Sequence, residues 1–344
     1  MIKAGIIGAT GYAGVEILRI LQSHPEVQIA AISSVSFEEQ GIDTVYPNLY
    51  GIEERKLTHS DEVIAGSDVV FGSLPAGVSE EFAQKCVDRG AVFIDMGADF
   101  RLDDEAVYAK WYKQAYKRPE LHEKAVYGLT EWNRAEIAKA PVIGNPGCFP
   151  TSVALGLWPA LMGGLVKTGS IVIDSKSGVT GAGRGLTQNT HYAELNEGFA
   201  PYKIGAHRHT PEIEQTLSKM AGTQVQVVFT PHLLPINRGI LSTMYLKFAD
   251  GATLARAHAA YEDFYRKEPF VRVLRAGDIA NVKNVRYSNY CDISLHEDAH
   301  TGTLIVVAAI DNMVKGAAGQ AIQNMNVRFG LPETMGLTMV PPAF

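Results

Sequence analysis

The sequence has 344 residues, 46% of them hydrophobic, a formal net charge of −6 and three cysteines. This length exceeds one ordinary hydrophobic core and predicts two domains. The negative charge argues against a surface for nucleic acid or acidic membranes, since such surfaces need clustered basic residues. No apolar run reaches the roughly 18 residues of a membrane span, and the first residues lack the regions of a signal peptide, so we expect a cytoplasmic protein.

The N-terminal part of the chain has the pattern of a doubly wound α/β domain. A short apolar strand at 3–8 is followed by glycines, an amphipathic helix and a second strand at 27–32, which together form a βαβ unit. Further apolar runs at 69–71, 92–94 and 142–143 each follow a helical or loop stretch. That alternation predicts a parallel sheet with helices packed on it.

Three glycines stand between the first strand and its helix in a GxxGxxG spacing. Glycines at such a turn let backbone N–H groups approach a pyrophosphate at the helix N-terminus, and the alternative is a tight turn without a ligand. Where an NAD-preferring dehydrogenase commonly has an acid for the ribose 2′-hydroxyl, this chain has serines. We therefore favour NADP(H), with simple turn serines as the alternative. The predicted contacts are Gly8, Thr10, Gly11, Tyr12, Ala13, Gly14, Ser34 and Ser36.

Cys148 lies in GNPGCFPT, directly before a helical pattern in which Pro150 suits the first turn. At a helix N-terminus the N–H groups and the dipole favour the thiolate, which lowers the pKa of the thiol. The alternative is a buried structural cysteine. Cys86 and Cys291 lie in helix-like and strand-like runs, where we expect small hydrophobic residues. The cysteine spacings suggest neither a disulfide framework nor a zinc site, and we predict no metal.

Beyond Cys148 the strand candidates lengthen and alternate, at 224–228 and 242–246. This pattern predicts an α+β domain whose sheet has one face in water. Near the end, 303–310 is a wholly apolar strand, after which Asp311 and Asn312 are expected to cap a helix of small residues. We expect that helix to pack back on the first domain.

A nucleophilic cysteine needs a neighbouring imidazole, and the best candidates lie in HRHTPEI, where Thr210 is expected to cap the next helix. If the chain approaches that helix in extended form, His207 and His209 point one way and Arg208 the other. Both histidines are therefore candidates for the acid/base.

The stretch SGVTGAGR at 177–184 is too glycine-rich for a strand. Its backbone amides and Arg184 suit an anionic group, and the alternative is a flexible loop.

Assembled in order, these motifs make the chain resemble the N-acetyl-γ-glutamyl-phosphate reductases of arginine biosynthesis. Two departures stand out. Phe149 occupies a position where relatives usually have tyrosine, and the serine-rich loop at 33–36 occupies one where many have arginine. The resemblance is carried by GATGYAG at 8–14, GNPGCFPTS at 144–152, SGVTGAGRG at 177–185, HRHTPEI at 207–213 and DNMVKGAAGQAIQNMN at 311–326.

The resemblance implies an α/β fold with a Rossmann-type doubly wound domain and an α+β catalytic and dimerisation domain of the semialdehyde dehydrogenase type. It implies that residues 1–147 with 312–344 bind NADP(H). Residues 148–311 would then carry catalysis and the contacts of a homo-oligomer, dimer or tetramer. Cys148 would be the nucleophile and His207 the acid/base.

The implied reaction is NADPH-dependent reduction of N-acetyl-γ-glutamyl phosphate, a small anionic acyl phosphate, to N-acetylglutamate 5-semialdehyde and phosphate through a cysteine thioester. Enzymatic alternatives are an aspartate-semialdehyde dehydrogenase and a lysine-pathway acyl-phosphate reductase; a non-enzymatic alternative is an NADP-binding sensor. The further predicted contacts are Ser177, Gly178 and Asn312 for the cofactor and Asn145, Arg184, Arg208 and His209 for the substrate.

Overall fold

A computed structural model describes all residues, 1–344, and they form two compact units. The first comprises Met1–Pro146 and Ala317–Thr338, and the second comprises Gly147–Gly316 and Met339–Phe344. Gly147 and residues 312–316 and 339–344, which the sequence predicted to belong to the first domain, cluster with the second unit. Residues 312–316 continue directly from the last strand of that unit.

A seven-stranded parallel sheet forms the centre of the first unit. Its strands are β1 (Ile2–Ile7), β2 (Val27–Ser33), β3 (Leu57–Thr58), β4 (Val69–Gly72), β5 (Val92–Asp95), β6 (Ala125–Tyr127) and β7 (Val142–Gly144). Their order, β3-β2-β1-β4-β5-β7-β6, reverses direction at β1, and every pairing is parallel. Strands β4 and β5 are buried at all positions, as expected for a sheet covered on both faces. The predicted doubly wound sheet is confirmed.

The helices of the first unit are α1 (Tyr12–Leu21), α2 (Ile42–Val45), α3 (Ser60–Gly66), α4 (Ser79–Asp88), α5 (Glu105–Tyr112), α6 (Pro119–His122), α7 (Thr130–Ile137) and, from the far end of the chain, α12 (Gly319–Arg328). Buried amides attach α12 to this unit. Asn324 donates through Nδ2 to Gly128 O, and its Oδ1 accepts from the Thr130 hydroxyl at the start of α7. The predicted packing of the last helix on the first domain is confirmed.

A second seven-stranded sheet, of mixed direction, forms the centre of the second unit. Its strands are β8 (Ile171–Gly178), β9 (Ala200–Pro201), β10 (Val227–Leu234), β11 (Ile240–Lys247), β12 (Val271–Val273), β13 (Cys291–Asp298) and β14 (Thr303–Ile310). Their order is β12-β13-β14-β11-β8-β10-β9, in which β8 and β10 are parallel and β11 pairs antiparallel with β8 and β14. Strand β11 alternates buried and more exposed residues, so the prediction of one face in water is confirmed there.

The predicted strand at 224–228 is wrong in its start, because β10 begins only at Val227. The N–H of Val225 donates to the Ser218 hydroxyl, which keeps this segment in the connection from helix to strand. The predicted strand at 303–310 coincides with β14.

The helices of the second unit are α8 (Cys148–Met162), α9 (Tyr192–Leu195), α10 (His209–Ala221) and α11 (Leu254–Tyr265), and a π-helical turn spans Val314–Ala318. Helix α8 is buried from Phe149 through Leu161 because it packs against β11, β14, α10 and α11. No helix in the structure is long and apolar enough to cross a membrane.

Candidate active site

The turn from β1 to α1 is packed so tightly that two of its glycines have no room for a side chain. Gly8 has a φ of +80°, and a Cβ there would lie 2.2 Å from Ser73 O. A Cβ at Gly14 would lie 2.3 Å from Gly8 O, whereas one at Gly11 would meet nothing closer than 3.4 Å. No side chain caps α1, which begins at Tyr12. The N-terminus of α1 therefore fits the pyrophosphate of a dinucleotide.

The end of β2 offers hydroxyl groups beside this turn. The hydroxyls of Thr10 and Ser34 lie 2.7 Å apart and both residues are buried. Ser33 O accepts from the N–H groups of Gly8 and Ala9, which joins the turn to the strand. Ser36 lies exposed two residues beyond Ser34. The structure thus brings the predicted cofactor residues of this unit to one turn, with Ser36 at its exposed margin.

Cys148 is the first residue of α8, so the predicted position at a helix N-terminus is confirmed. The preceding Gly147 is the N-cap and has no side chain to cap the helix. Cys148 is partly exposed, whereas Cys86 and Cys291 are buried. Burial raises the pKa of the Cys86 thiol to about 12, which leaves it protonated. Of the three thiols, only that of Cys148 combines access with a helix N-terminus.

The π-helical turn passes close to the nucleophile. A Cβ at Gly316 would lie 2.8 Å from the Cβ of Cys148, so only glycine fits there without a shift. Asp311 caps the turn by accepting from the N–H groups of Met313 and Val314. The predicted cap is confirmed for Asp311, but Asn312 has another function, described below.

The chain approaching α10 is not extended, so the condition under which His207 and His209 would point one way and Arg208 the other is not met. Helix α10 begins at His209, and Arg208 already has helical dihedral angles, φ −63° and ψ −19°. Thr210 lies inside the first turn instead of capping it, and its N–H donates to His207 O. In this non-extended chain, His207 Nδ1 accepts from the N–H of His209 at 3.1 Å. In the neutral ring the proton of His207 must therefore be on Nε2.

His207 is kept neutral by its surroundings. It is 8% exposed. Burial, with the positive charges of Lys203 and Arg208, lowers its pKa to about 4. Its ring lies 5.5 Å from that of Tyr202 and 5.6 Å from that of Phe149, the residue after the nucleophile. The pKa of Tyr202 is raised by burial and by the charge of Cys148, which places these groups in one cluster.

Two side chains of α10 contact the N-cap of α8. The ring of His209 lies against Gly147, where an added Cβ would be 2.5 Å from Nε2. Glu212 is buried, and its Oε1 accepts from the N–H of Gly147 at 2.8 Å. Glu212 was not predicted from the sequence, although an acid in the first turn of the histidine-bearing helix was a usable signal. Gly147 is thus bound at its N–H by Glu212, and the ring of His209 occupies the space that a side chain at this position would need.

The glycine-rich stretch at 177–184 was predicted to contain no strand. This prediction is wrong for its first two residues, which belong to β8. Ser177 and Gly178 end β8 and pair with the end of β10. Gly178 fits because the neighbouring backbone is close: a Cβ would lie 2.7 Å from Asn237 O. A 3₁₀ turn at Val179–Ala182 follows. Arg184 lies half-buried in the loop beyond it, and Arg208 is exposed beside His207.

Two buried asparagines among the predicted contacts hold loops in place. Asn312 accepts through Oδ1 from Gly239 N and donates through Nδ2 to the Thr180 hydroxyl. In the first unit, Asn145 donates to Ala317 O and accepts from the Asn324 amide. These bonds position the loops, and direct contact with cofactor or substrate stays a prediction for both residues.

A further residue missed from the sequence is Arg101, which follows β5 in the first unit. It is buried, and its Nε donates to Asn145 O at 2.8 Å while a terminal nitrogen donates to Met96 O at 2.9 Å. The arginine thereby fixes the carbonyl that precedes Pro146, in the segment leading to the nucleophile. An arginine shortly after the carboxyl end of a parallel strand was the available signal.

The fold and the cysteine site define an oxidoreductase of the semialdehyde dehydrogenase class. Residues 3–140 match the family described as semialdehyde dehydrogenase, NAD binding domain, and residues 148–312 match the semialdehyde dehydrogenase, dimerisation domain. Aspartate semialdehyde dehydrogenase II of Vibrio cholerae, complexed with ASA, superposes with a TM-score of 0.73 at 17% identity, over 96% of this chain and 98% of that one. The enzyme of Candida albicans with NADP gives 0.70 at 17%, over 95% and 98%. These structures show the same fold.

Much closer relatives are N-acetyl-gamma-glutamyl-phosphate reductases. That of Clostridium beijerinckii is 55% identical and that of Brachyspira hyodysenteriae 54% identical, each over the whole of both chains. This chain belongs to the N-acetyl-gamma-glutamyl-phosphate reductase family. The resemblance and the α/β fold class predicted from sequence are confirmed.

Proposed function

We propose that this protein reduces N-acetyl-γ-glutamyl phosphate to N-acetylglutamate 5-semialdehyde and phosphate with NADPH, in the cytoplasm. The observation that carries the proposal is the partly exposed Cys148 at the N-terminus of α8, in one cluster with the buried, neutral His207. The names of relatives more than 50% identical supply the substrate. We assign cofactor binding to 1–147 with 312–344, and catalysis to 148–311.

In the first step the Cys148 thiolate attacks the γ-carbonyl carbon of the acyl phosphate. The carbon–oxygen bond to phosphate breaks, phosphate leaves with the bonding electrons, and a thioester remains on the sulfur. The N–H groups at the start of α8 stabilise first the thiolate and then the negative oxygen of the tetrahedral adduct. Both stabilisations use groups that are already in place in the structure.

In the second step NADPH, when bound, supplies a hydride. In this step His207 acts as a neutral hydrogen-bond donor, because its Nδ1 accepts from the His209 N–H and its proton is on Nε2. The Nε2–H donates to the thioester oxygen and stabilises the alkoxide that develops there. When the alkoxide collapses, the carbon–sulfur bond breaks, the aldehyde leaves and the thiolate is restored.

With its proton on Nε2 and Nδ1 accepting the His209 N–H, His207 has no free nitrogen for the thiol proton, which leaves to solvent when the thiolate forms. Burial, together with the charges of Lys203 and Arg208, depresses the pKa of His207 in the structure. An anionic acyl phosphate beside these cations offsets their charges and raises that pKa. We keep His207 as the acid/base, acting through its Nε2–H, and give His209 the contact with Gly147 together with substrate binding.

The residues of the β1–α1 turn suit NADP(H). The glycines allow close backbone approach at an uncapped helix N-terminus, and β2 ends in serine where an acid would repel a 2′-phosphate. We assign the pyrophosphate to the turn at 8–14 and the 2′-phosphate to the loop of Ser34 and Ser36. We also assign Ser177, Gly178 and Asn312 to the cofactor, as the sequence predicts.

The substrate is a small molecule with a carboxylate and a phosphate, and two arginines are candidates for them. Arg208 is exposed next to His207, and Arg184 lies in the loop after the glycine-rich turn. Guanidinium groups bind such anions through paired N–H donors. We assign Arg184, Arg208 and His209 to these anions, and Asn145 holds the loop before the nucleophile.

A row of apolar side chains on the second sheet supports a homo-oligomer. Val172 on the central strand β8 is 39% exposed, and its register partners Val228 on β10 and Tyr245 on β11 are 60% and 36% exposed. Exposed apolar residues in a row across three adjacent strands are typical of a contact surface. We assign this face to the contact between subunits of a dimer or of a tetramer.

Replacing Cys148 with serine tests the chemistry. We expect C148S to lose phosphate-dependent NADP reduction with N-acetylglutamate 5-semialdehyde by a factor on the order of 10³ or more, because a serine hydroxyl is a far weaker nucleophile at neutral pH. NADPH binding, measured by fluorescence titration, should be unchanged. Cys86→Ala is the control, since it removes a buried thiol distant in sequence from every site motif. Turnover retained in C148S would refute the mechanism.

The same assay separates the alternatives. Turnover of aspartate semialdehyde in preference to N-acetylglutamate 5-semialdehyde would favour an aspartate-semialdehyde dehydrogenase. A protein that binds NADPH but turns over neither aldehyde, and whose Cys148 has an ordinary thiol pKa by alkylation, would be a sensor.

A further inference from the structure

The N-cap of the nucleophile helix cannot cap itself. Gly147 has extended dihedral angles, φ −66° and ψ 152°, and no side chain. Its carbonyl accepts from both the N–H and the hydroxyl of Thr151, each at 3.0 Å. Its N–H donates to Glu212 on a different helix. The position of Cys148, one residue on, therefore depends on a carboxylate that comes from α10.

We propose that Glu212 is a positioning residue for Cys148: its carboxylate holds Gly147 at the start of α8, and its negative charge tunes the ionisation of the neighbouring thiol. The proposal rests on the thiolate chemistry proposed above. Glu212 itself touches the N-cap and is not assigned any contact with the reacting atoms.

The contact between Glu212 and Gly147 links the segment of the acid/base His207 to the helix that carries the nucleophile. Glu212 lies in the first turn of α10, which begins with His209 and whose N-terminal N–H binds His207. The ring of His209 lies on the other side of Gly147. A shift of α10 would consequently move the imidazole and the N-cap of α8 together. Such shared fixation preserves the distance between nucleophile and acid/base.

The surroundings leave little freedom for Cys148 once Gly147 is held. Gly316 approaches its Cβ so closely that a methyl group there would lie 2.8 Å away. Loss of the hydrogen bond between Gly147 and Glu212 would free Cys148 on the side of Gly147, while Gly316 would still pack against its Cβ. The nucleophile would then sample positions away from the attack geometry, and misplacement of about 1 Å can cost on the order of 10²-fold in rate.

The hydrogen bond from Gly147 to Glu212 favours reaction by holding Cys148 in position, whereas the negative charge of Glu212 disfavours the Cys148 thiolate. A carboxylate at the N-terminus of α8 interacts with the same dipole that favours the Cys148 thiolate, and it repels that thiolate. Geometry and charge can be separated, because glutamine keeps an acceptor oxygen of the same shape and removes the charge. Leucine removes both.

The experiment measures the pH dependence of Cys148 alkylation by iodoacetamide in the full chain, with kcat and KM measured in parallel. We expect Glu212→Gln to lower the apparent pKa of the thiol by about half a unit or more, and to keep kcat within roughly tenfold of wild type. Glu212→Leu should lower kcat on the order of 10²-fold with KM for NADPH unchanged.

Glu214 is the matched control on the same helix. Its Oε1 accepts from the N–H of Val227 at 3.1 Å, away from the N-cap of α8. Glu214→Gln and Glu214→Leu should leave the alkylation profile and kcat as in wild type, even if thermal stability falls. If Glu212→Leu does not fold, Glu212→Gln tests the proposal, because glutamine keeps the shape of the side chain.

Two outcomes would overturn the role of Glu212. One is an alkylation profile of Glu212→Gln that coincides with wild type while Glu212→Leu retains full kcat. The other is an equal shift in Glu214→Gln. Full activity of wild-type protein after complete alkylation of Cys148 would instead refute the proposed function, so the two failures are distinguishable.

Discussion

His207 shows how far the surroundings of one side chain set its chemistry. An ordinary histidine titrates near pH 6.5, but burial and the charges of Lys203 and Arg208 lower the pKa of this one to about 4. The hydrogen bond from His209 N to Nδ1 adds to this, because a protonated Nδ1 could not accept it. Residue type predicted an imidazole at the site, while its neutral state follows from contacts made by the folded chain.

The depressed pKa has a consequence for stability. Between pH 6.5 and 4 the unfolded chain binds a proton at His207 that the folded chain does not, so the free energy of unfolding falls as pH falls through this range. The effect amounts to about 3 kcal/mol at most. Urea unfolding of His207→Gln should therefore lose less stability between pH 7 and pH 4.5 than wild type.

His300, exposed in the turn between β13 and β14, provides the control. His300→Gln should show the pH dependence of wild type. An equal loss of stability between pH 7 and pH 4.5 in His207→Gln and wild type would contradict the prediction, because the proton uptake would then belong to another group.

At the scale of elements, the turns that precede the helices carry most of the proposed function. Helix α1 follows a glycine turn, α8 follows Gly147 and begins at Cys148, and neither helix has a side-chain cap of its own. Uncapped N-termini present N–H groups to an anion, which is a pyrophosphate in one case and a thiolate in the other. The same feature of helix geometry is thus proposed to serve both cofactor binding and catalysis.

Gly14→Ala tests the cofactor turn. The added Cβ would lie 2.3 Å from Gly8 O and 2.8 Å from the Cα of Ala9, so the first turn of α1 must move. Overpacking of this kind costs about 1–3 kcal/mol. We expect NADPH affinity, measured by fluorescence titration, to fall by roughly tenfold or more, with alkylation of Cys148 unchanged.

Gly66→Ala, at the end of α3 in the same unit, controls for glycine replacement. A Cβ there meets nothing closer than 3.9 Å. NADPH affinity should match wild type in this variant. If Gly14→Ala bound NADPH as wild type does, the turn would not be the pyrophosphate site.

At the scale of the whole molecule, the two units have sheets of different kinds. The parallel sheet of the first unit buries its inner strands β4 and β5 throughout, whereas the mixed sheet of the second unit leaves one face partly in water. On that face Val172, Val228 and Tyr245 form the exposed row described above. An apolar row on central strands is expected to be covered by another surface.

The row predicts the effect of a charge on assembly. Val172→Asp would bury a carboxylate in the proposed subunit contact, which is costly without a partner. We expect its mass by light scattering after gel filtration to fall toward that of one chain. Ile52→Asp, which replaces an exposed apolar residue of the first unit, should leave the mass unchanged. An unchanged mass for Val172→Asp would place the subunit contact elsewhere.

Much of the fold was predictable because it depends on short-range patterns. Apolar runs of two to eight residues marked β1, β4, β5, β7 and β14, and a glycine turn followed by an amphipathic pattern marked α1. The misses have a common cause. The start of β10, the strand character of Ser177 and Gly178 and the helical conformation of Arg208 each depend on a partner distant in sequence or on a cap.

By itself the sequence determined the family, the division into a cofactor turn and a cysteine motif, and the choice of Cys148 among three thiols. These follow from local order, since glycine spacing, helix position and strand pattern are properties of neighbouring residues. Only the tertiary structure decided that His207 is neutral with its proton on Nε2, that Gly316 lies against the nucleophile, and that Glu212 holds Gly147. Burial, charge and contact between distant segments exist only once the chain has folded.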